Sequence, residues 1–222
     1  DYRVVGVTKG SSAAQIEFEP VGRGIAFQPG NFGFLRMKVD GLREPHPFTI
    51  AAAPTPGGQI TFVIRALGDF TTRLVSGIEA GMHADVYAPY GRFERSTVTG
   101  REIWIAGGVG ISPFIAWMKD AQMGGFERVS LFYFYTPGRT FPDVDIIRTM
   151  AVEKGIEFVP IGTGPNTLTF IQRFSEIVRD ADHSTLDIAV CGPKGLLEQV
   201  RKIAKSHGLA PARIRHELFA FR

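Results

Sequence analysis

The chain has 222 residues, of which 44% are apolar, and a formal net charge of +3. This composition is typical of one large or two smaller globular domains, and the absence of a basic stripe argues against a nucleic-acid-binding protein. The single cysteine, Cys191, excludes an intrachain disulfide, a cysteine-based zinc cluster and an iron–sulfur site built from this chain alone.

The first part of the chain, residues 1–98, has the pattern of an antiparallel β-domain. Apolar and polar residues alternate in four runs, which are 2–7, 14–19, 34–39 and 59–65. A further strand is predicted at the sequence HPFTI (46–50), and a helix over 71–79 that stops before Gly81. Short strands separated by turn residues predict a barrel or a sandwich.

From residue 99 onward, short apolar strands alternate with helical stretches. The predicted strands are 103–106, 129–135, 156–161, 186–191 and 213–221, and the predicted helices are 113–123, 143–154, 169–180 and 195–207. This order predicts a doubly wound parallel sheet with helices on both faces. The polar turn 96–101 marks the boundary, so the predicted domains are 1–98 and 99–222. The longest apolar stretch, 103–118, is too short and too interrupted to span a bilayer.

Two strand-to-helix turns in the second part have the residues of a nucleotide-binding site. In IWIAGGVGISPF a strand leads into a turn with Gly107, Gly108 and Gly110, and Pro113 opens the next helix. Glycines let the backbone approach a pyrophosphate, and the helix N-terminus offers free N–H groups. The alternative is a tight turn whose glycines serve packing only.

The second turn, in IAVCGPKG, consists of Cys191, Gly192 and Pro193. In a doubly wound sheet it opens onto the same edge as the glycine turn, because ligands bind outside the carboxyl ends of the strands. Taken by itself, Cys191 has the simpler alternative of a small buried apolar residue.

The order of these features, HPFTI, IRALGDFTTRL, the glycine turn and the CGP turn, resembles the ferredoxin–NADP reductase superfamily over essentially the whole chain. Within it, the chain is most similar to the cytosolic dehydrogenase region of ferric reductases and NADPH oxidases. The resemblance implies an FAD-binding β-barrel followed by an NAD(P)H-binding α/β domain.

The family's flavin motif, R-x-[YF]-[ST], falls on the strand at residues 46–49. The resemblance implies that Phe48 packs against the isoalloxazine, that Thr49 hydrogen-bonds near its N5, and that His46 takes the place of an arginine on the flavin phosphate. The alternative for Phe48 is a core residue. The predicted FAD contacts on this strand are His46, Pro47, Phe48, Thr49 and Ile50.

Residues after the next strand complete the predicted FAD site. Arg65 is the candidate for the positive charge that His46 lacks, with a solvated strand residue as the alternative. Gly68 and Thr71 lie where a helix begins, and the pyrophosphate can meet free N–H groups there.

For the nicotinamide nucleotide, the resemblance implies that Gly107, Gly108, Gly110 and Pro113 hold the pyrophosphate. It also implies that Cys191, Gly192 and Pro193 lie beside the nicotinamide, where the thiol contacts the ring carbon that carries the hydride, and that Tyr135 faces the adenosine end. The choice between NADPH and NADH is open, because the family's arginines for the 2′-phosphate are missing; Arg139 and Arg173 are the possible substitutes.

The C-terminal HELFAFR is predicted to belong to the active site. In a strand, alternation places Glu217, Phe219 and Phe221 on one face. The superfamily pattern favours Phe219 as the aromatic that covers the flavin until nicotinamide displaces it, with Phe221 as second choice. The alternative is that both phenylalanines close an apolar layer.

The resemblance implies hydride transfer from NADPH, or NADH, to FAD, followed by single-electron transfer to an acceptor outside this chain. Thr49, Cys191 and Phe219 are the predicted catalytic residues, with no metal. The expected acceptor is haem in a transmembrane domain of the same polypeptide, because the chain begins without methionine as an excised domain would; the fragment itself is then soluble, on the cytoplasmic side of the membrane. The alternatives are a free-standing soluble flavin reductase or electron-transfer subunit, and a non-catalytic nucleotide-binding regulatory module.

Overall fold

The computed structural model describes residues 1–97, 99–162 and 164–218, apart from the side chain of Ala212. The chain divides into two compact units: Asp1–Arg95 with Ser112–Met123, and Ser96–Ile111 with the residues from Gly124 onward. This division differs from the predicted domains 1–98 and 99–222 at two places. Residues 96 and 97 lie with the second unit, and 112–123 lie with the first.

The first unit is a six-stranded antiparallel barrel. Its strands are β1 (Tyr2–Lys9), β2 (Ala13–Pro20), β3 (Phe32–Met37), β4 (His46–Thr49), β5 (Ile60–Arg65) and β6 (His83–Tyr90), in the spatial order β4-β3-β6-β1-β2-β5. The two end strands meet just after β4, where Ile50 bridges Phe62 and the amide of Ala51 donates to the carbonyl of Thr61 at 2.8 Å. This pairing closes the sheet, which removes the exposed edges that an open sheet would have.

The barrel core is formed by the inward residues of every strand, as the alternation predicts. Ile16 and Phe18 on β2, and Leu35 on β3, are fully buried in it. The sequence analysis missed β6, which lies between β3 and β1. Residues 83–88 do alternate, with Ala84 and Val86 buried, so the period-2 signal is present in the sequence but was overlooked. Pro89 and a register irregularity opposite Phe32 and Phe34 interrupt it only at the end of the strand.

Two helices belong to the first unit, α1 (Asp69–Gly77) and α2 (Ser112–Lys119). The indole N–H of Trp117 on α2 donates to the carbonyl of Pro29 at 3.0 Å, and the ring of Phe93 stacks on that of Trp117 with centroids 5.2 Å apart. We predicted α2 as a helix of the nucleotide domain. These aromatic contacts pack it with the barrel instead, although it connects two strands of the other unit.

The second unit is a five-stranded parallel sheet. Its strands are β7 (Glu102–Gly107), β8 (Val129–Phe134), β9 (Glu157–Ile161), β10 (Asp187–Gly192) and β11 (Ile214–Leu218), in the order β11-β10-β7-β8-β9. Its helices are α3 (Val144–Glu153), α4 (Leu168–Asp180) and α5 (Lys194–Ser206). The fold class is therefore the predicted one, an antiparallel barrel and a doubly wound parallel sheet.

The strand order reverses next to β7, because β8 lies on one side of it and β10 on the other. The turns after β7 and β10 therefore meet at the carboxyl edge of the sheet, at the point where doubly wound sheets bind ligands. Phe170 and Phe174 on α4 and Leu197 on α5 fill one apolar core against one face of the sheet. Of the helices in the described ranges, none combines the length and apolar character that a bilayer crossing requires.

Candidate FAD and nucleotide sites

His46 lies at the start of β4 and stacks on Phe70 in the first turn of α1, with ring centroids 3.7 Å apart and an interplanar angle of 26°. Its Nε2 is buried and has no hydrogen-bond partner among the described residues. The nearest carboxylate oxygen, on Glu44, is 3.6 Å from this nitrogen, beyond hydrogen-bond distance. A buried imidazole nitrogen without a partner fits a ligand oxygen, as expected if His46 contacts the flavin phosphate.

The side chain of Thr71 is engaged within the protein. Its hydroxyl oxygen accepts hydrogen bonds from the amides of Leu67 and Gly68, at 2.9 and 3.1 Å, and its O–H donates to the carbonyl of Gly68 at 3.2 Å. One donor and two acceptor sites are all that a hydroxyl has. Thr71 therefore caps α1 and shapes the loop before it, and its hydroxyl has no remaining site for a phosphate.

Gly68 and Arg65 have properties that fit an anionic ligand. A Cβ atom at Gly68 would meet nothing within 4 Å, and its φ of −138° is open to any residue. The protein's own packing therefore gives no reason for glycine at the start of α1. Arg65 ends β5 half-buried, and among the described residues no carboxylate forms an ion pair with it. Both observations are consistent with a bound pyrophosphate beside the first-turn amides of α1.

Two predicted FAD contacts on and after β4 point into the barrel. Phe48 is 6% exposed, belongs to the barrel core and lies 6.1 Å from Phe62 between ring centroids. Ile50 is fully buried in the same core. For Phe48 the structure favours the alternative of a core residue. Strand alternation places Pro47 and Thr49 on the outer face, where Pro47 is exposed but Thr49 is buried, with 4% exposure.

That outer face carries an aromatic strip that the sequence analysis missed. The strip consists of Phe32, Phe34, Tyr87 and Tyr90, on β3 and β6. Phe32 is paired with Thr49 and Phe34 with Pro47, so part of the strip lies directly beside the flavin motif. No pattern in the sequence indicates it, because the irregular register of β6 decides which of its residues face outward.

In the second unit, the glycine turn and the CGP turn pack against each other. A Cβ atom at Gly110 would lie 2.2 Å from the carbonyl oxygen of Cys191, and one at Gly107 would lie 2.9 Å from the ring of Pro193. The structure therefore brings the two predicted turns together. It also gives Gly107 and Gly110 a packing reason, which is the alternative stated above. Gly108 begins a short 3-10 helix (Gly108–Ile111).

Cys191 pairs with Ala106 on one side and Glu217 on the other, and its side chain is fully buried. Burial raises the pKa of the thiol well above its ordinary value, and the charge of Glu217 raises it further. The thiol is therefore neutral near pH 7. Its predicted contact with the nicotinamide stays a prediction.

The two arginines considered for the 2′-phosphate lie at opposite edges of the sheet. Arg139 is exposed in the turn after β8, at the carboxyl edge, near Tyr135, whose amide donates to Ile161 at 3.0 Å. Arg173 instead binds Glu157 at 2.6 Å and Glu176 at 2.9 Å. Glu157 begins β9 at the amino edge, so Arg173 is not a substitute phosphate ligand. Phe219 and Phe221 lie outside the described residues, so their predicted role stays a prediction.

Comparison with known proteins agrees with this arrangement. A family model described as an FAD-binding domain matches residues 8–108. The toluate 1,2-dioxygenase electron transfer component of Pseudomonas putida is 24% identical over 204 residues, which cover 88% of this chain and 60% of that protein. The chain spans 60% or less of the length of the first curated relatives that it matches.

Two solved structures have the same fold. The cytochrome P450 reductase GcoB of Amycolatopsis superposes with a TM-score of 0.79 at 21% identity, covering 98% of this chain and 68% of that one. The ferredoxin NADP+ reductase of Neisseria gonorrhoeae, solved with bound FAD and NADP, gives 0.77 at 14% identity, covering 98% and 97%. The chain therefore shares the fold of these reductases, and residues 8–108 match the FAD-binding model. The match to an FAD-binding domain model supports the predicted flavin cofactor.

Proposed function

We propose that this chain is the reductase module of an electron-transfer system, which takes hydride from NAD(P)H onto FAD and passes electrons to an acceptor outside these residues. The observation that carries the proposal is the match of residues 8–108 to an FAD-binding domain model. The second unit supports it, because its two glycine-containing turns meet where the strand order of the parallel sheet reverses. The toluate dioxygenase component is itself an electron transfer component. This favours the alternative of an electron-transfer subunit over the haem-linked membrane protein that we first expected.

The residues of the chain would act by binding and positioning. Arg65, the buried Nε2 of His46 and the first-turn amides of α1 hold the anionic part of FAD. The turns at Gly107 and Gly192 bring the backbone close to the nucleotide. When bound, FAD supplies the redox chemistry, accepting a hydride as a pair of electrons and releasing them singly.

The direct test is to load the purified chain with FAD and add NADH or NADPH without oxygen. Bleaching of the oxidised-flavin absorbance band is expected. No bleaching by either nucleotide would favour the third alternative, the non-catalytic nucleotide-binding module. Since Arg173 is engaged at the amino edge, we expect kcat/KM for the two nucleotides to differ by less than about 100-fold. A much larger ratio would reveal a phosphate ligand other than Arg139.

A second candidate function is the cytosolic dehydrogenase domain of a ferric reductase or NADPH oxidase. It is favoured by His46, because that branch has histidine where other relatives have arginine. Electron delivery separates the two candidates. The reduced chain is mixed with a [2Fe–2S] ferredoxin or with a soluble b-type haem protein, and the rate of acceptor reduction is measured. Rapid reduction of the ferredoxin supports the reductase module, and reduction of haem alone supports the membrane-linked candidate.

A further inference from the structure

The aromatic strip on the outer face of the barrel is exposed on both of its strands. Tyr87 is 45% and Tyr90 47% exposed on β6, and Phe32 and Phe34 are partly exposed beside them on β3. Single exposed apolar residues are ordinary, but a contiguous group of them with a polar rim marks an interaction surface.

FAD bound at the phosphate site described above leaves the strip uncovered. Phe34 of the strip pairs with Pro47, and the neighbours of Pro47 on β4, His46 and Phe48, point to the opposite face of that strand by alternation. His46 is the residue whose buried Nε2 fits the flavin phosphate. The anionic end of the cofactor is therefore assigned to the other side of β4, and the strip is available to a different partner.

The rings of the strip are held in fixed orientations. Tyr90 stacks on Phe32 with centroids 5.7 Å apart and an interplanar angle of 29°, and Phe34 packs its edge against Tyr90 at 5.4 Å and 83°. The irregular register, in which Phe32 pairs with Tyr90 and Phe34 with Tyr87, turns both tyrosines outward. Aromatic side chains that are ordered before binding lose little entropy in a complex, which suits them to the centre of a protein interface.

The size of the strip fits a small, transient interface. Taking roughly 200 Å² for a whole aromatic side chain, the exposed parts of its four side chains amount to roughly 200–300 Å². A specific, stable interface buries roughly 800 Å² on each partner, whereas electron-transfer encounters lie at the low end of interface sizes. The exposed area therefore favours an electron-transfer partner over a second copy of this chain.

Arginines near both ends of the strip indicate the charge of that partner. Arg36 is the next outward residue after Phe34 on β3, and its carboxylate partner, Asp85, is 3.9 Å away and also binds a lysine at 3.1 Å. Arg92 follows Tyr90 by two residues, is exposed, and forms no ion pair with a carboxylate of the described residues. Guanidinium groups bind carboxylates with two parallel hydrogen bonds, so these positions fit an acidic rim on the partner.

We propose that the aromatic strip is the docking surface for the protein that accepts electrons from this chain, and that the matching surface of that protein has apolar side chains surrounded by carboxylates. Phe32 pairs with Thr49, so a protein docked on the strip lies beside the strand that carries the flavin motif. The inference rests on the proposed function, because it requires that reduced FAD passes its electrons to another protein.

The test measures electron transfer from NADH or NADPH by the FAD-loaded full chain to two acceptors. An acidic [2Fe–2S] ferredoxin is the docking probe, and benzoquinone, a small neutral molecule, reports flavin reduction without protein docking. Tyr87→Ser and Tyr90→Ser, made together, should raise KM for ferredoxin about 5- to 30-fold, the range for truncated interface anchors. Arg92→Glu should raise it about two- to fivefold at low ionic strength, the range for exposed ion pairs, and less at high ionic strength. Benzoquinone reduction should stay unchanged in both variants.

Val21→Ser and Arg23→Glu are the matched controls. Both residues are exposed in the barrel unit just after β2, which does not neighbour β3, β4 or β6 in the sheet, and both variants should leave the two reactions unchanged.

The docking surface is wrong if the wild-type chain reduces benzoquinone but not ferredoxin, or if KM for ferredoxin is unchanged in the tyrosine and Arg92 variants. An equal loss of benzoquinone reduction in these variants would place the defect at the flavin and also overturn it. A wild-type dimer that the tyrosine variant dissociates in sedimentation would make the strip an interface between copies instead. Failure of the wild-type chain to reduce benzoquinone would overturn the proposed function itself.

Discussion

The two units both have glycine where a phosphate-bearing cofactor is expected, but for different physical reasons. Gly68, in the barrel unit, has open space around it and an ordinary backbone conformation. Gly110, in the sheet unit, lies against the carbonyl group of Cys191, and any side chain there would collide with it. Gly68 therefore leaves room for a ligand at the start of α1, whereas Gly110 is required by the protein's own packing.

The largest change in stability is expected in α2. This helix connects two strands of the sheet unit but packs with the barrel unit. Trp117→Ala should lower the free energy of unfolding by about 3–5 kcal/mol, since it removes a buried ring and leaves the carbonyl of Pro29 without its donor. Trp117→Phe, which keeps a ring, should cost about 1–3 kcal/mol. Urea denaturation followed by circular dichroism measures both, and a cost below about 1 kcal/mol for alanine would contradict this packing.

Gly110→Ala should destabilise the sheet unit by about 2–4 kcal/mol, because its Cβ would lie 2.2 Å from a backbone oxygen and the turn must shift. Gly195→Ala, early in α5, is the control, since a Cβ there meets nothing within 4 Å. Thermal unfolding of the two variants compares them directly. Equal melting temperatures would mean that the two turns do not pack as described.

Gly68→Ala should instead change the FAD affinity strongly and the stability only slightly. Its cost in stability should stay below about 1 kcal/mol, the range for a helix N-cap. Its FAD affinity should fall about tenfold, because a methyl group occupies the space where we expect the ligand to approach the backbone. Gly77→Ala, near the other end of α1 and also open, should leave the affinity unchanged. Equal affinities for the Gly68 variant and wild type would remove the distinction between the two kinds of glycine.

The smallest effect is expected at the amino edge of the sheet, far along the strands from the turns. Partial burial raises the pKa of Glu157, but hydrogen bonds from Arg173 and Ser130 and the charges of Arg173 and Arg101 outweigh it, so this pKa lies below its ordinary value. A carboxylate with a lowered pKa in the folded state stabilises the fold above its ordinary value of 4.5, and that contribution is lost as the pH falls through the folded pKa.

Glu157→Gln should therefore cost about 1 kcal/mol at neutral pH, and the difference from wild type should shrink in acid. Glu176→Gln, which touches only the outer side of Arg173, should cost less than about 0.5 kcal/mol. Denaturation at neutral and acidic pH measures both variants. If the loss in free energy of unfolding caused by Glu157→Gln grows as the pH falls, the carboxylate does not stabilise the fold as an anion.

Most of the fold was predicted correctly from local sequence patterns. Period-2 alternation and the order of strands and helices depend only on residues that are close in the sequence. β6 was missed although residues 83–88 alternate, because the run ends at Pro89 after six residues. No local signal assigns α2 to the barrel. Within the candidate site, the sequence identified the strand at His46, the start of α1 and the two turns. It did not foresee the partners of the Thr71 hydroxyl and of Arg173, because Leu67 and Glu157 are brought to them by the geometry of a loop and of a sheet edge.

By itself, the sequence determined the fold class and the segments where the cofactors are expected, since both depend on residue types at fixed spacing. Only the tertiary structure decided which side chains of those segments remain open to a ligand. Phe48 is turned into the barrel and Tyr90 is turned out of it. The reason is that orientation on a strand follows from register and bulges, which are fixed by pairing with strands distant in the chain.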